Sequence, residues 1–143
     1  MTERWNAARA QALLGEVFAP WVRALELRAE TVEEAGARFT LPANPAPSRG
    51  GGEGSGTVCG QAIGAAADTT SVVTLAAVAG RFRPCTTVDM TTHFLRPLAE
   101  GATAIAVEVL SNGRRMAVTR VEFHSAAGKL AATATCAFAY LDG

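Results

Sequence analysis

Asp68 is the only charge between Thr57 and Ala79. A lone carboxylate in an apolar helix costs free energy unless it is paired, protonated or put to use. Gln61, Gly64, Asp68 and Ser71 are spaced by three and four residues, so a helix would carry them on one face. Gly64 has no side chain and leaves room there for close approach. Gly60 stands near the predicted helix start, where free N–H groups and the macrodipole favour a negative atom. Attack on an acyl carbonyl needs a base or nucleophile and donors for the oxyanion. Asp68 can supply the first and the Gly60 amide the second. Each residue also has a plainer reading. Asp68 can be a core acid tied to Thr or Ser, the glycines can serve packing, and Gln61 can cap the helix.

The run that carries these residues reads as a long central helix. Its Ala content favours helix, and apolar residues on every side predict burial. It follows the loop Gly50-Gly51-Gly52-Glu53-Gly54-Ser55-Gly56, which lacks the Lys-Ser/Thr ending of a nucleotide loop. Upstream, Leu13, Leu14, Val17, Phe18, Trp21 and Val22 recur at helical spacing, which predicts an amphipathic helix over roughly residues 3 to 19, ended or kinked at Pro20. From Leu25 to Leu41 the period shortens to two strands joined near Glu33-Glu34-Ala35-Gly36. After Gly80, Thr86 to Leu95 alternates, with Val88, Met90, Thr92 and Phe94 on one face and Thr87, Asp89, Thr91, His93 and Leu95 on the other. Thr103 to Val109 and Met116 to Ser125 form a hairpin about Ser111-Asn112-Gly113, and Leu130 to Leu141 closes the chain. Tight turns make the sheet antiparallel, giving an α+β class and one domain over 1–143.

Composition narrows the function. The chain has 13 Lys plus Arg and 13 Asp plus Glu, so no electrostatic case exists for nucleic acid or an anionic membrane. The longest apolar run carries Asp68 and reads as a core helix, not a membrane span. The N-terminus lacks an apolar signal core. Cys59, Cys85 and Cys136 are odd in number and lack metal-ligand spacing, and only His93 and His124 accompany them. The expectation is a cytoplasmic chain with reduced thiols, no metal and no cofactor. Cys59 could act as a nucleophile with either histidine as base, but a lone Cys is more often a small hydrophobe.

The element order resembles the hotdog fold, in which a curled antiparallel sheet wraps a central helix. Several motifs resemble the acyl-CoA thioesterases of the phenylacetate-pathway type. Gly56-Thr57-Val58-Cys59-Gly60-Gln61 stands where that family has a glycine and a His-Gly-Gly triplet, and Ala67-Asp68-Thr69 stands at its acid. Thr87-Val88-Asp89-Met90-Thr91 matches its Val-Asp-Met-like strand, and Gly113-Arg114-Arg115 its Gly-Lys/Arg hairpin. Cys59 replaces the family His, Gln61 the second Gly, and Glu53 stands where relatives often have Asn, so the chain is similar to a divergent member. The resemblance implies hydrolysis of an acyl-CoA, with coenzyme A as part of the substrate, by a dimer or tetramer. Asp68 of one subunit would meet the helix start of another. It further implies Gly60 as oxyanion donor, Thr87 as positioner of water, and substrate contacts from Cys59, Gln61, Gly64, Glu53 and Ser71. Arg114 and Arg115 would hold the CoA phosphates. Two other readings stay open: an acyl-CoA binding or sensing module without catalysis, and a hotdog enoyl-CoA hydratase or dehydratase.

Overall fold

A computed structural model describes residues 3–44, 47–50, 56–98 and 101–142. Two short helices come first, α1 (Ala7–Leu14) and α2 (Pro20–Arg23). The hairpin β1 (Arg28–Val32) and β2 (Gly36–Leu41) follows, then the helix α3 (Gly60–Ala79). Four strands complete the chain: β3 (Cys85–Phe94), β4 (Thr103–Asn112), β5 (Met116–His124) and β6 (Leu130–Tyr140). They form one six-stranded sheet in the order β1-β2-β4-β5-β6-β3, with every pairing antiparallel. The architecture is α+β: α3 packs against all six strands, enclosed by the sheet's inner face.

Inward side chains from the four inner strands meet α3. Phe39, Leu41, Ile105, Val107, Val121, Phe123 and Phe138 are almost wholly buried, opposite Ile63, Ala66, Ala67, Val73 and Ala77 of the helix. At about 25 cal/mol per Å² of apolar surface, this burial is the main stabilising term. α3 has 20 residues and enough apolar character to span a membrane by length, but 67% of its hydropathic window is buried in the fold. Gly80 stops it with a left-handed φ of 77°, accessible to glycine at no steric cost. Gly36 matters for another reason: a Cβ there would run into the Val107 carbonyl of the adjoining β4.

The N-terminus departs from the expected 3–19 helix. Asn6 caps α1 by accepting from the Arg9 amide at 2.9 Å, and the helix ends at Leu14, before Gly15. Pro20 begins the separate turn α2 and does not end a long helix; its ring suits the first helical position, where no donor is missed. Val17 and Trp21 are accordingly 48% and 64% exposed. Leu25 and Leu27 are buried but precede β1. The paired strands at 25–41, the hairpin about Gly113 and the last strand fall where the alternation put them, within a few residues.

Candidate active site on the open side of the central helix

β3 is a sheet edge, hydrogen-bonded to β6 alone, and runs antiparallel along α3. Its side chains meet the helix turn by turn. A Cβ on Gly60 would lie 3.4 Å from the Phe94 ring, and one on Gly64 would lie 3.6 Å from the Met90 methyl. Two turns on, the Thr87 hydroxyl donates to Asp68 Oδ1 at 2.6 Å. The short distance fits a hydrogen bond to a charged acceptor.

Strict alternation predicted Thr87 on the face opposite Met90 and Phe94. The structure corrects this. Thr87 pairs with Phe138 and Asp89 with Ala137, so Val88 is an extra residue with no partner. Such a bulge switches side-chain phase across it. Thr87 therefore joins Met90 and Phe94 toward the helix, while Val88 is 52% exposed. His93 falls on the outer face, and His124 lies on β5 with Nε2 3.8 Å from Glu122. Neither histidine is placed to activate Cys59 at the start of α3.

Asp68 is half-buried, and among the described residues Thr87 is its one hydrogen-bond partner. Ser71, one turn further, behaves differently. Three residues leave Ser71 offset from Asp68 by about 60° around the helix, and that offset places it on the sheet side. Its hydroxyl is fully buried and shares a 2.7 Å hydrogen bond with Thr119 of β5. The expected substrate contact from Ser71 is not what the structure shows: the residue belongs to the core. Cys136 lies beside the same pair; burial, above all, pushes its thiol up from the ordinary value, against hydrogen bonds from Ser71 and Thr119. Burial and then the Asp68 charge push the Cys85 thiol up as well.

At the start of α3, Cys59 is the N-cap residue and offers no side-chain cap. Its carbonyl accepts from the amides of Ala62 and Ile63, and its own amide donates to the Pro47 carbonyl. The Gly60 and Gln61 amides are thus left pointing out of the helix end. The Gln61 side chain is exposed and does not cap. A cleft of about 380 Å³ beside Gly60 is lined by Phe94, Leu95 and Pro97, with Arg49 and Arg96 at its edge. Gly60 and Asp68 lie eight residues apart, about 12 Å along the axis. One chain alone cannot aim both at the same carbonyl. Glu53 lies outside the described residues.

Arg114 and Arg115 occupy the exposed β4–β5 tip and pair with no carboxylate among the described residues. Their backbone is held by residues that spacing alone did not single out. Arg83 donates to the Arg114 carbonyl at 2.7 Å and to Asp142 at 2.8 Å, and its guanidinium stacks 3.6 Å from the Tyr140 ring centre. The Arg83 guanidinium holds the Asp142 carboxyl below the usual carboxylate value. No cluster of three or more His, Cys, Asp or Glu that could take a metal exists among the described residues.

The sheet wrapped on a long helix, with an acid half-way along it, defines a hotdog-fold protein. The model of the thioesterase superfamily matches residues 55–132, more than half of the chain, and the chain belongs to that family. Thioester hydrolysis is accordingly its class of chemistry. Solved structures agree on the fold. A thioesterase from Haemophilus influenzae superposes with TM-score 0.83 at 15% identity, over 98% of this chain and 93% of that one. A conserved protein from Pseudomonas aeruginosa gives 0.76 at 23%, over 89% and 98%. A hypothetical thioesterase protein from Streptococcus pneumoniae, solved with coenzyme A, gives 0.72 at 16%, over 83% and 89%. Among curated proteins none matches in sequence.

Proposed function

We propose that the protein hydrolyses an acyl-CoA thioester to the free acid and CoA, in a site completed by a second copy of the chain. The observation that carries this reading is the half-open Asp68 carboxylate, held by Thr87 at 2.6 Å on the unpaired edge of the sheet. Asp68 acts as general base on water, or as nucleophile, at the thioester carbonyl. Thr87 orients the carboxylate and the attacking water. Oxyanion charge is taken by the Gly60 amide of the other subunit, at the positive end of its α3.

One further observation supports assembly through β3. Edge strands left long and apolar invite pairing, and here Val88, Met90 and Phe94 are 52%, 41% and 58% exposed on a ten-residue edge. An antiparallel partner on that edge would reverse the direction of its helix. The partner's Gly60 end would then travel toward Asp68, closing a gap that one helix cannot. Coenzyme A in the pneumococcal neighbour supports CoA as the carrier, with Arg114 and Arg115 as phosphate contacts. Cys59, Gln61 and Gly64 then line the path of the thioester as substrate contacts. The protein acts in the cytoplasm with no cofactor beyond the CoA of its substrate.

Thiol release from a panel of acyl-CoAs tests the proposal. Wild-type protein releases free CoA, and Asp68→Asn lowers kcat at least ~100-fold with the fold retained, the loss expected on removing a base. Wild-type turnover in the variant would remove Asp68 from the mechanism. Binding without thiol release by the wild type would instead leave an acyl-CoA binding module.

A further inference from the structure

The turn joining β4 to β5 is held from outside by one cation. Arg83 lies four residues past the end of α3, with its side chain 14% exposed. Its Nε donates to Asp142 at 3.1 and 3.2 Å and its Nη2 at 2.8 Å. The same Nη2 donates to the Arg114 carbonyl at 2.7 Å, and Nη1 donates to the Gly113 carbonyl at 3.5 Å. Its plane covers Tyr140, whose hydroxyl donates to Asn112 at 2.6 Å and whose amide donates to the Arg115 carbonyl at 2.8 Å. Every residue from Asn112 to Arg115 is therefore tied to the Arg83–Tyr140–Asp142 cluster by backbone or amide, and both arginine side chains are left free to reach outward.

A turn this short does not need such a device. The Gly113 amide already closes the hairpin by donating to the Met116 carbonyl at 2.8 Å. What the cluster adds is a fixed direction for two adjacent like charges that have no carboxylate partner among the described residues. Asp142 engages the Arg83 charge, so Arg83 is not itself the open cation. The register sets the distance to the acid. Arg115 is bonded to Tyr140, which pairs with Cys85, two residues from Thr87 on β3. Two strand spacings across and two residues along put the tip about 12 Å from Thr87. A thioester at Asp68 with its phosphates at the tip requires that the two points keep a constant separation.

We infer that Arg83 is a positioning residue for the phosphate-bearing end of the substrate, setting the β4–β5 tip so that Arg114 and Arg115 meet the CoA phosphates. The inference rests on the acyl-CoA reading above. Two thioesters with the same acyl group separate its effect: acyl-CoA, and acyl-N-acetylcysteamine, which carries no phosphate. In the full-length protein, Arg83→Gln should raise KM for acyl-CoA about tenfold, the scale of one lost charge-assisted contact, with kcat within about twofold. The N-acetylcysteamine ester should be unaffected, and Arg83→Lys should recover part of the loss. With Arg114 and Arg115 both changed to Ala, adding Arg83→Gln should cost nothing more, because coupled sites are non-additive. Equal losses on both esters, or an unchanged KM for acyl-CoA, would overturn the inference.

Calorimetric titration with free CoA reads Arg83 independently of turnover. A Kd weakened about tenfold by Arg83→Gln supports its role, and no change, or no CoA binding by the wild type, refutes it. Failure of the wild type to cleave either ester counts against the hydrolase reading alone. If circular dichroism shows that Arg83→Gln does not fold, Asp142→Asn, which removes one arm of the cluster, is expected to weaken CoA binding in the same direction. An unchanged Kd there refutes the inference equally.

Discussion

Gly64→Ala separates packing from function at the centre of α3. Glycine inside a helix is less favourable than alanine by roughly 0.8–1 kcal/mol, because it loses more backbone freedom on folding. The added methyl does not meet a wall. Its nearest neighbour would be the Met90 methyl at 3.6 Å, an ordinary contact with a flexible side chain that is 41% exposed. The substitution should therefore stabilise the fold by about 0.5–1 kcal/mol, which for a domain near this size raises Tm by roughly 2–4 °C. Activity should move the other way. Gly64 lies between the helix start and Asp68, on the proposed path of the thioester, and a methyl there would narrow that path. The expected variant is more stable yet loses about tenfold in kcat/KM, with the larger loss on the bulkier acyl groups. Differential scanning calorimetry and a thiol-release assay over an acyl series read the two effects separately. A more stable variant with undiminished turnover on every acyl group would show that Gly64 has no part in substrate passage. A less stable variant would refute the packing argument itself.

Thr87→Val removes the hydroxyl that donates to Asp68 while keeping the shape of the strand residue. A hydrogen bond to a charged group contributes about 1.5–3 kcal/mol; at this exposed position about 1 kcal/mol is expected, so kcat falls roughly fivefold to tenfold with little change in KM. Thr87→Ser should restore most of it, and full activity in the Val variant would exclude Thr87 from orienting the acid. Cys136, fully buried beside Ser71 and Thr119, should resist a thiol reagent in the native protein and react only after unfolding. Rapid native labelling of all three cysteines would contradict the buried cluster.

Much of this architecture could be read from residue types. The Ala-rich run with Gly80 at its end marked α3, because helix propensity and the glycine stop are local properties. Asp68 stood out because charge inside an apolar helix is rare. Three features escaped. The bulge at Val88 leaves no mark in a run of alternating residues, so strict period-two reading put Thr87 on the wrong face. The inward turn of Ser71 depends on Thr119 facing it across 48 residues of sequence. Arg83 and Asp142 are 59 residues apart, and only the pairing of β6 with both β3 and β5 brings them together. Nonlocal contacts of this kind are set by register, which spacing within one strand does not encode.

Asp68 and Ser71 also bear on why the acid is there at all. Both are polar residues on the same apolar helix, one turn apart, and the fold treats them differently. Ser71 is closed off, its hydroxyl satisfied by Thr119 and shielded from solvent. A carboxylate can accept about four hydrogen bonds, and Asp68 receives one from the described residues. A carboxylate kept for structure alone would sit as Ser71 does, with its acceptors filled, since unfilled buried acceptors cost 1–3 kcal/mol or more. Asp68 avoids that penalty by staying half-open along the edge that β3 leaves unpaired. The same opening exposes Val88, Met90 and Phe94, whose burial would favour a partner strand. Pairing there would exclude water from Asp68's free lone pairs just as it delivered a helix end carrying the missing donors. On the proposed reading, the apolar edge and the open side of Asp68 are met by one and the same partner.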